Sequence, residues 1–122
     1  MSKNEDLEHL RERLKNLLDY LIQKFLGKAF AEVFASFVKS KSGRIDIFHY
    51  AIETPKQFYE VATSFFGSEE ALESFLRVSV RYIIKNHREA DKLTLNVINA
   101  LKNDDRKALV KLIELICRKA SF

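Results

Sequence analysis

The architecture of this chain follows from residues 68–101, which read SEEALESFLRVSVRYIIKNHREADKLTLNVINAL. The candidate inward set is Leu72, Phe75, Leu76, Ser79, Tyr82 and Ile83 in the first half, then Ala90, Leu93, Val97 and Leu101 in the second. If Arg77 is set at 0° and each residue rotates the helix by about 100°, the side chains of both halves fall between roughly 140° and 260°. Because the apolar positions keep the same helical phase on both sides of the polar residues 86–89, the pattern predicts one long helix over 69–101, about 50 Å in length. Two helices broken near Asn86 are the alternative, since the mean helix is far shorter.

Helical periodicity also accounts for the rest of the chain. It predicts helices over 4–26 and 28–41, a helix from Pro55 to about residue 66, and a last helix to about residue 119 that residues 103–105 cap. Thr54 and Ser68 precede helices and are expected to accept hydrogen bonds from first-turn N–H groups. Residues 44–53 are predicted to be an apolar connector, with a short extended segment or one or two helical turns left open.

Length and composition agree with a helical protein. The chain has 122 residues, of which 47% are hydrophobic and 31% charged, with three Gly and one Pro. So few turn residues disfavour an all-β sandwich or barrel. We therefore predict an all-α fold, a single domain over 1–122 that forms a compact bundle of five or six helices.

The N-terminus and the cysteine content bear on the compartment. The first six residues are polar, which is unlike a signal peptide, and no apolar run is long enough for a membrane span. The single cysteine, Cys117, cannot form an internal disulfide. The sequence thus predicts a cytoplasmic protein without membrane contact.

The middle of the chain resembles a small archaeal all-helical domain family, described as an output domain of signalling proteins. The resemblance covers roughly residues 10–85 and rests on Leu26-Gly27, Ile45, Pro55, Phe58, Phe66-Gly67 and Ala71-Leu72. It implies an α-helical fold and a regulatory role, and it brings no catalytic residue to this chain. Residues 86–122 depart from the family's compact pattern.

No residue pattern in the chain indicates catalysis. A phosphate-binding loop, a nucleophile elbow and a zinc-protease motif are all missing from the sequence, and His9, His49 and His87 are scattered. Cys117 lies at the edge of an apolar helix face, where a structural thiol is the better interpretation. Glu5, His9 and Glu12 share a helix face, but a solvated charged face explains them better than a metal site. We predict no enzyme activity, no metal and no cofactor.

The charged face of the long helix suggests a partner. The chain carries a net charge of +4. Five cations lie within about 80° of arc over roughly 22 Å, opposite the apolar face. They are Arg77, Arg81, Lys85, Arg88 and Lys92. They could bind a nucleic-acid backbone, or they could form a solvated face with salt bridges, and no aromatic residue interleaves with them to stack on bases.

Leucines at the N-terminus predict self-association. Leu7, Leu10 and Leu14 begin a heptad-like seam and are the predicted contact of a homodimer, whereas the stripe from Leu17 to Phe25 widens and is expected to face the core. We therefore predict a non-catalytic regulatory or protein-interaction module that forms a homodimer or binds a protein partner. A nucleic-acid-binding protein that uses the basic face is the alternative.

Overall fold

A computed structural model describes residues 3–43 and 47–119, except for the side chains of residues 3–8, 10, 11, 13, 14, 17, 18 and 48. These ranges contain helices and no strand, which confirms the all-α prediction, with seven helices rather than five or six. They are α1 (Lys3–Leu26), α2 (Lys28–Ser42), α3 (Ile47–Glu53), α4 (Pro55–Phe66), α5 (Glu69–Ile83), α6 (His87–Lys102) and α7 (Arg106–Lys119).

The prediction of one long helix over 69–101 is wrong. The chain leaves the helix at Ile84, whose backbone is extended, and α6 restarts after Asn86. The side chain of Asn86 accepts a hydrogen bond from the N–H of Glu89 at 3.1 Å and so satisfies a donor that a helix start leaves unpaired. The alternative, two helices broken near Asn86, is the one that the structure shows.

The break lets α5 and α6 fold back on each other as an antiparallel pair. Lys102, at the end of α6, approaches Glu69 at the start of α5 to 3.6 Å. At the other end of the pair, Arg81 contacts Asp91. Each helix then buries its own apolar stripe in the same core, which a continuous rod of that length could not do in a domain this small.

The buried side chains follow the predicted inward faces in part, because Val80 and Ile84 are also buried although the predicted set contains neither. Leu72, Ser79, Ala90, Leu93 and Leu101 are buried, as the phase of residues 68–101 predicts. On α2 the agreement is partial. Phe34 and Val38 are buried, but Phe30 and Val33 on the same stripe are 41% and 58% exposed. The phenylalanines of α2, α4 and α5 pack ring against ring, for example Phe34 on Phe65 at 4.8 Å and Phe66 on Phe75 at 5.4 Å between centroids.

The described part of the connector before α4 is helical. Residues 47–53 form α3, where Tyr50 and Ile52 are buried, while residues 44–46 lie outside the described residues. Thr54 does not cap α4 with its side chain, contrary to the prediction, because its hydroxyl donates to the carbonyl of Tyr50 at 3.1 Å. The N–H of Lys56 in the first turn of α4 donates instead to Asp104 Oδ1 at 3.1 Å.

Helix α1 carries the predicted dimer seam. The side chains of Leu7, Leu10 and Leu14 lie outside the described residues, so their contact stays a prediction. Further along α1, Leu21 is fully buried, as expected for the core-facing half, whereas Phe25 is 38% exposed. Within the part of the chain that the structure describes, no helix is both long and apolar enough for a transmembrane segment.

Candidate nucleic-acid interface

The five predicted cations do not form a straight ridge, because they belong to three consecutive segments. Arg77 and Arg81 lie on α5, Lys85 lies in the link, and Arg88 and Lys92 lie on the first two turns of α6. Arg81 is half-buried and the other four are exposed. The structure therefore groups them around the turn of the α5–α6 pair rather than along one helix.

Arg81 already has a carboxylate partner. Its guanidinium donates from Nε and Nη2 to the two carboxylate oxygens of Asp91, at 2.8 and 2.7 Å. This two-point geometry is the strongest that an arginine–carboxylate pair adopts. Arg81 lowers the pKa of Asp91 below its ordinary range, and the charge of Arg77 acts in the same direction. Arg81 is thus held across the α5–α6 pair, and an incoming anion would have to compete with Asp91.

Lys85 belongs to a different local cluster. Its ammonium group donates to the backbone carbonyl of Tyr82 at 3.1 Å and lies 5.0 Å from the centroid of the Tyr82 ring. Lys24 of α1 approaches the same ring, with its Nζ 4.6 Å from the centroid. Its ammonium also donates to the hydroxyls of Tyr82 and Tyr20, at 3.2 and 3.5 Å.

Aromatic side chains of α1 complete this cluster. Tyr20 is 51% exposed, with its ring centroid 6.5 Å from that of Tyr82. Phe25 is 38% exposed and meets the Tyr82 ring edge-on at 5.8 Å. We name the five side chains Tyr20, Lys24, Phe25, Tyr82 and Lys85 the tyrosine–lysine patch. The sequence predicted no aromatic residue interleaved with the cations to stack on bases. The structure corrects this, because α1 contributes Tyr20 and Phe25 beside the Tyr82 ring of α5.

The electrostatics of the tyrosine–lysine patch are positive. The hydroxyl of Tyr20 and the ammonium of Lys24 lower the pKa of Tyr82 below its ordinary value. The same hydroxyl contacts raise the pKa of Lys24, so this lysine stays charged. Among the residues that the structure describes, no carboxylate forms an ion pair with Lys24 or Lys85.

Helix α7 adds cations at the same end of the bundle. Lys119 pairs with Glu89 in the first turn of α6, which places Arg118 and Lys119 near the turn between α5 and α6. We call this region, where α5 and α7 end and α6 begins, the basic end. Cations also stabilise helix C-termini, which explains part of this enrichment without a ligand.

The three histidines considered for catalysis or metal binding lie on three different helices. His49 contacts Glu53 within α3, His87 starts α6, and His9 and Glu12 are exposed on α1, while the side chain of Glu5 lies outside the described residues. Cys117 is buried, as predicted for a structural thiol. Over the described ranges, no group of three or more His, Cys, Asp or Glu side chains could hold a metal ion.

A cavity between helices is another place where a small apolar ligand could bind. A depression of about 200 Å³ is lined by residues of α1, α2 and α3, among them Ile22, Phe34 and Ile47. It is smaller than the usual range for small-molecule sites, which begins near 300 Å³. The phenylalanines fill the core by ring contacts instead.

The tyrosine–lysine patch joins residues that are far apart in the sequence. Lys24 and Tyr82 are separated by 58 positions, so no local pattern pairs them. The available signal was the spacing of Tyr20 and Lys24, which places both on one face of α1.

Comparisons with protein-family models, curated proteins and solved structures found no match to this chain. The resemblance of residues 10–85 to the archaeal output-domain family stays a prediction.

Proposed function

We propose that this protein is a non-catalytic module that binds the phosphate backbone of nucleic acid through its basic end. The observation that carries the proposal is the convergence of Lys24 and Lys85 on the ring of Tyr82, at 4.6 and 5.0 Å from its centroid. Two ammonium groups from distant parts of the chain thus lie within 5.0 Å of the centroid of one ring. Repulsion between them is relieved when an anion binds, and phosphate supplies that charge.

The neighbouring side chains extend the positive surface. Segment 77–92 carries five Lys or Arg side chains against the carboxylates of Glu89 and Asp91, and both of these already have cationic partners. Arg77, Arg88 and Lys92 are exposed beside these neutralised pairs. A phosphate chain that crosses the turn can therefore meet several cations without displacing a carboxylate.

The test is the salt dependence of binding to a labelled 20-base-pair duplex, followed by fluorescence anisotropy. Three to five phosphate contacts predict a slope of log affinity against log salt of roughly −3 to −4.5. Arg88→Ala should weaken binding to all sequences alike and make the slope shallower by about one. Arg106→Ala is the matched control, because this exposed arginine begins α7, about 20 Å along the helix from Lys119. Absence of binding to this duplex and to a single strand, both at low salt, would refute the proposal.

Asp91 supplies a second variant with the opposite expected sign. Asp91→Asn removes the carboxylate that holds Arg81 and so adds one available cation to the surface. We expect tighter binding and a steeper salt slope, by about one further contact. A weaker complex, in a variant whose circular dichroism is unchanged, would contradict this view of the surface.

A protein-interaction module is the second candidate, supported by exposed apolar side chains on α5 and α6. Val78 and Leu95 are 47% and 57% exposed. Val78 precedes Arg81 by three residues and Leu95 follows Asp91 by four, so helical spacing places them beside this ion pair. The buried core of an interface is more apolar than the rest of the surface, and arginine is enriched in interfaces.

Affinity capture from the native source tests this second candidate. The wild type should retain a partner that the double variant Val78→Ser, Leu95→Ser loses, while Arg106→Ala keeps it. An identical set of captured proteins for all three would show that this face is not an interface.

A further inference from the structure

We propose that the tyrosine–lysine patch binds single-stranded nucleic acid, with a base stacked on the ring of Tyr20 and a phosphate held by Lys24 and Lys85. The inference rests on the proposed function and specifies its ligand. It concerns the strand form that the basic end prefers, which salt dependence alone does not reveal.

The ring of Tyr20 is exposed and held in place. About half of the side chain is accessible, and its hydroxyl accepts a hydrogen bond from Lys24 at 3.5 Å. Tyr82 is more enclosed, because Phe25 meets it edge-on and both lysines lie within 5.0 Å of its centroid. Tyr82 therefore positions the lysines, while Tyr20 offers the accessible ring.

Such a ring favours unpaired bases. The bases of a duplex are stacked on one another and turn only their edges to the grooves, so their faces cannot reach a protein ring. Single strands expose base faces, and proteins that bind them combine aromatic rings with a positively charged track along the backbone. The patch has both components within one cluster, and the cations of segment 77–92 continue the charged track.

The lysines and the ring serve different parts of one nucleotide. Lys24 contacts the hydroxyl of Tyr20 directly, so a base on this ring places its own phosphate within reach of the ammonium group. Lys85 adds a second positive charge near the Tyr82 ring, 5.0 Å from its centroid. Because neither lysine has a carboxylate partner among the described residues, no existing ion pair has to break.

The experiment compares a labelled 15-nucleotide oligothymidylate with a 15-base-pair duplex at the same salt concentration. The wild type should bind the single strand about tenfold or more tightly than the duplex. Tyr20→Ala should weaken single-strand binding about fivefold or more and leave duplex binding unchanged. Tyr20→Phe should restore it, because the phenyl ring still stacks. Phe30→Ala, which removes a comparably exposed ring on α2, is the matched control and should have no effect.

The outcomes separate this inference from the proposed function. Equal affinity for both strands, with Tyr20→Ala indistinguishable from the wild type, overturns the single-strand inference and leaves backbone binding intact. Failure of the wild type to bind either probe at low salt overturns both. Ultraviolet crosslinking of the oligothymidylate provides an independent measurement, and a crosslinked peptide that does not include Tyr20 or Tyr82 would also overturn the inference.

Discussion

Replacing Phe34 by alanine should lower the Tm of this protein by more than about ten degrees. Phe34 is only 4% exposed, and its ring packs on Phe65 and Phe66 with centroids 4.8 and 5.8 Å away. Truncation of a buried phenylalanine costs about 3–5 kcal/mol, which combines lost burial with the cavity left behind. At about 2.1 cal/mol/K per residue for the entropy of unfolding, a chain of this length should lose roughly 12–19 °C in Tm.

Phe30→Ala is the control for this prediction. Phe30 lies one turn earlier on α2 and contacts the same two rings, at 5.1 and 6.4 Å, but is 41% exposed. Solvent can fill the space that its ring vacates, so we expect a loss of about 1–2 kcal/mol. Differential scanning calorimetry measures both variants. If Phe30→Ala lowers Tm as much as Phe34→Ala, exposure does not govern these sites and the assigned core is wrong.

Four further predictions concern the turn between α5 and α6, the tyrosines and self-association. Asn86→Ala should cost about 1 kcal/mol by urea unfolding, because it removes the cap of α6, whereas Asn96→Ala in the exposed middle of that helix should cost nothing. The lowered pKa of Tyr82 should appear in an ultraviolet titration as ionisation below the ordinary range of a tyrosine, and Tyr82→Phe should remove that phase. Tyr59, buried and hydrogen-bonded to two glutamates, has a raised pKa. The folded protein thus holds the Tyr59 proton more tightly than the unfolded chain does. The contribution of Tyr59 to the free energy of unfolding is therefore full below about pH 10 and should decline above it, whereas Tyr59→Phe should not show this decline. Sedimentation should show a dimer at micromolar concentration that Leu10→Asp dissociates, and a wild-type monomer at high concentration would exclude the seam.

Helical periodicity predicted part of the inward-facing set, missing Val80, Ile84 and Ile98, and did not predict where the long helix breaks. The buried positions of α5 and α6 come out alike whether the chain is continuous or interrupted, because each helix is amphipathic by itself. The deciding signal is the local chemistry of Asn86, whose side chain competes for a backbone N–H. On α2, periodicity groups Phe30 with Phe34, but the coverage of a stripe depends on neighbouring helices that the local sequence does not specify.

The tyrosine–lysine patch could not be predicted from the sequence for a different reason. Its α1 and α5 members meet only because two helices from opposite halves of the chain lie side by side. Amphipathic patterns constrain the buried faces of helices and leave the pairing of their exposed faces open. The cations of α5 and α6 could therefore be recognised as a group, but not their aromatic neighbours.

The hydrogen bond from Lys56 to Asp104 makes the start of one helix depend on a residue 48 positions downstream. Until α6 and its following loop are in place, the first turn of α4 lacks this acceptor, and its N–H remains open to solvent. Hydrogen exchange at the Lys56 amide therefore reports whether the loop between α6 and α7 is packed against the start of α4. Its exchange with deuterium should follow the opening of the α6–α7 loop rather than the fraying of α4, and Asp104→Ala should accelerate it selectively.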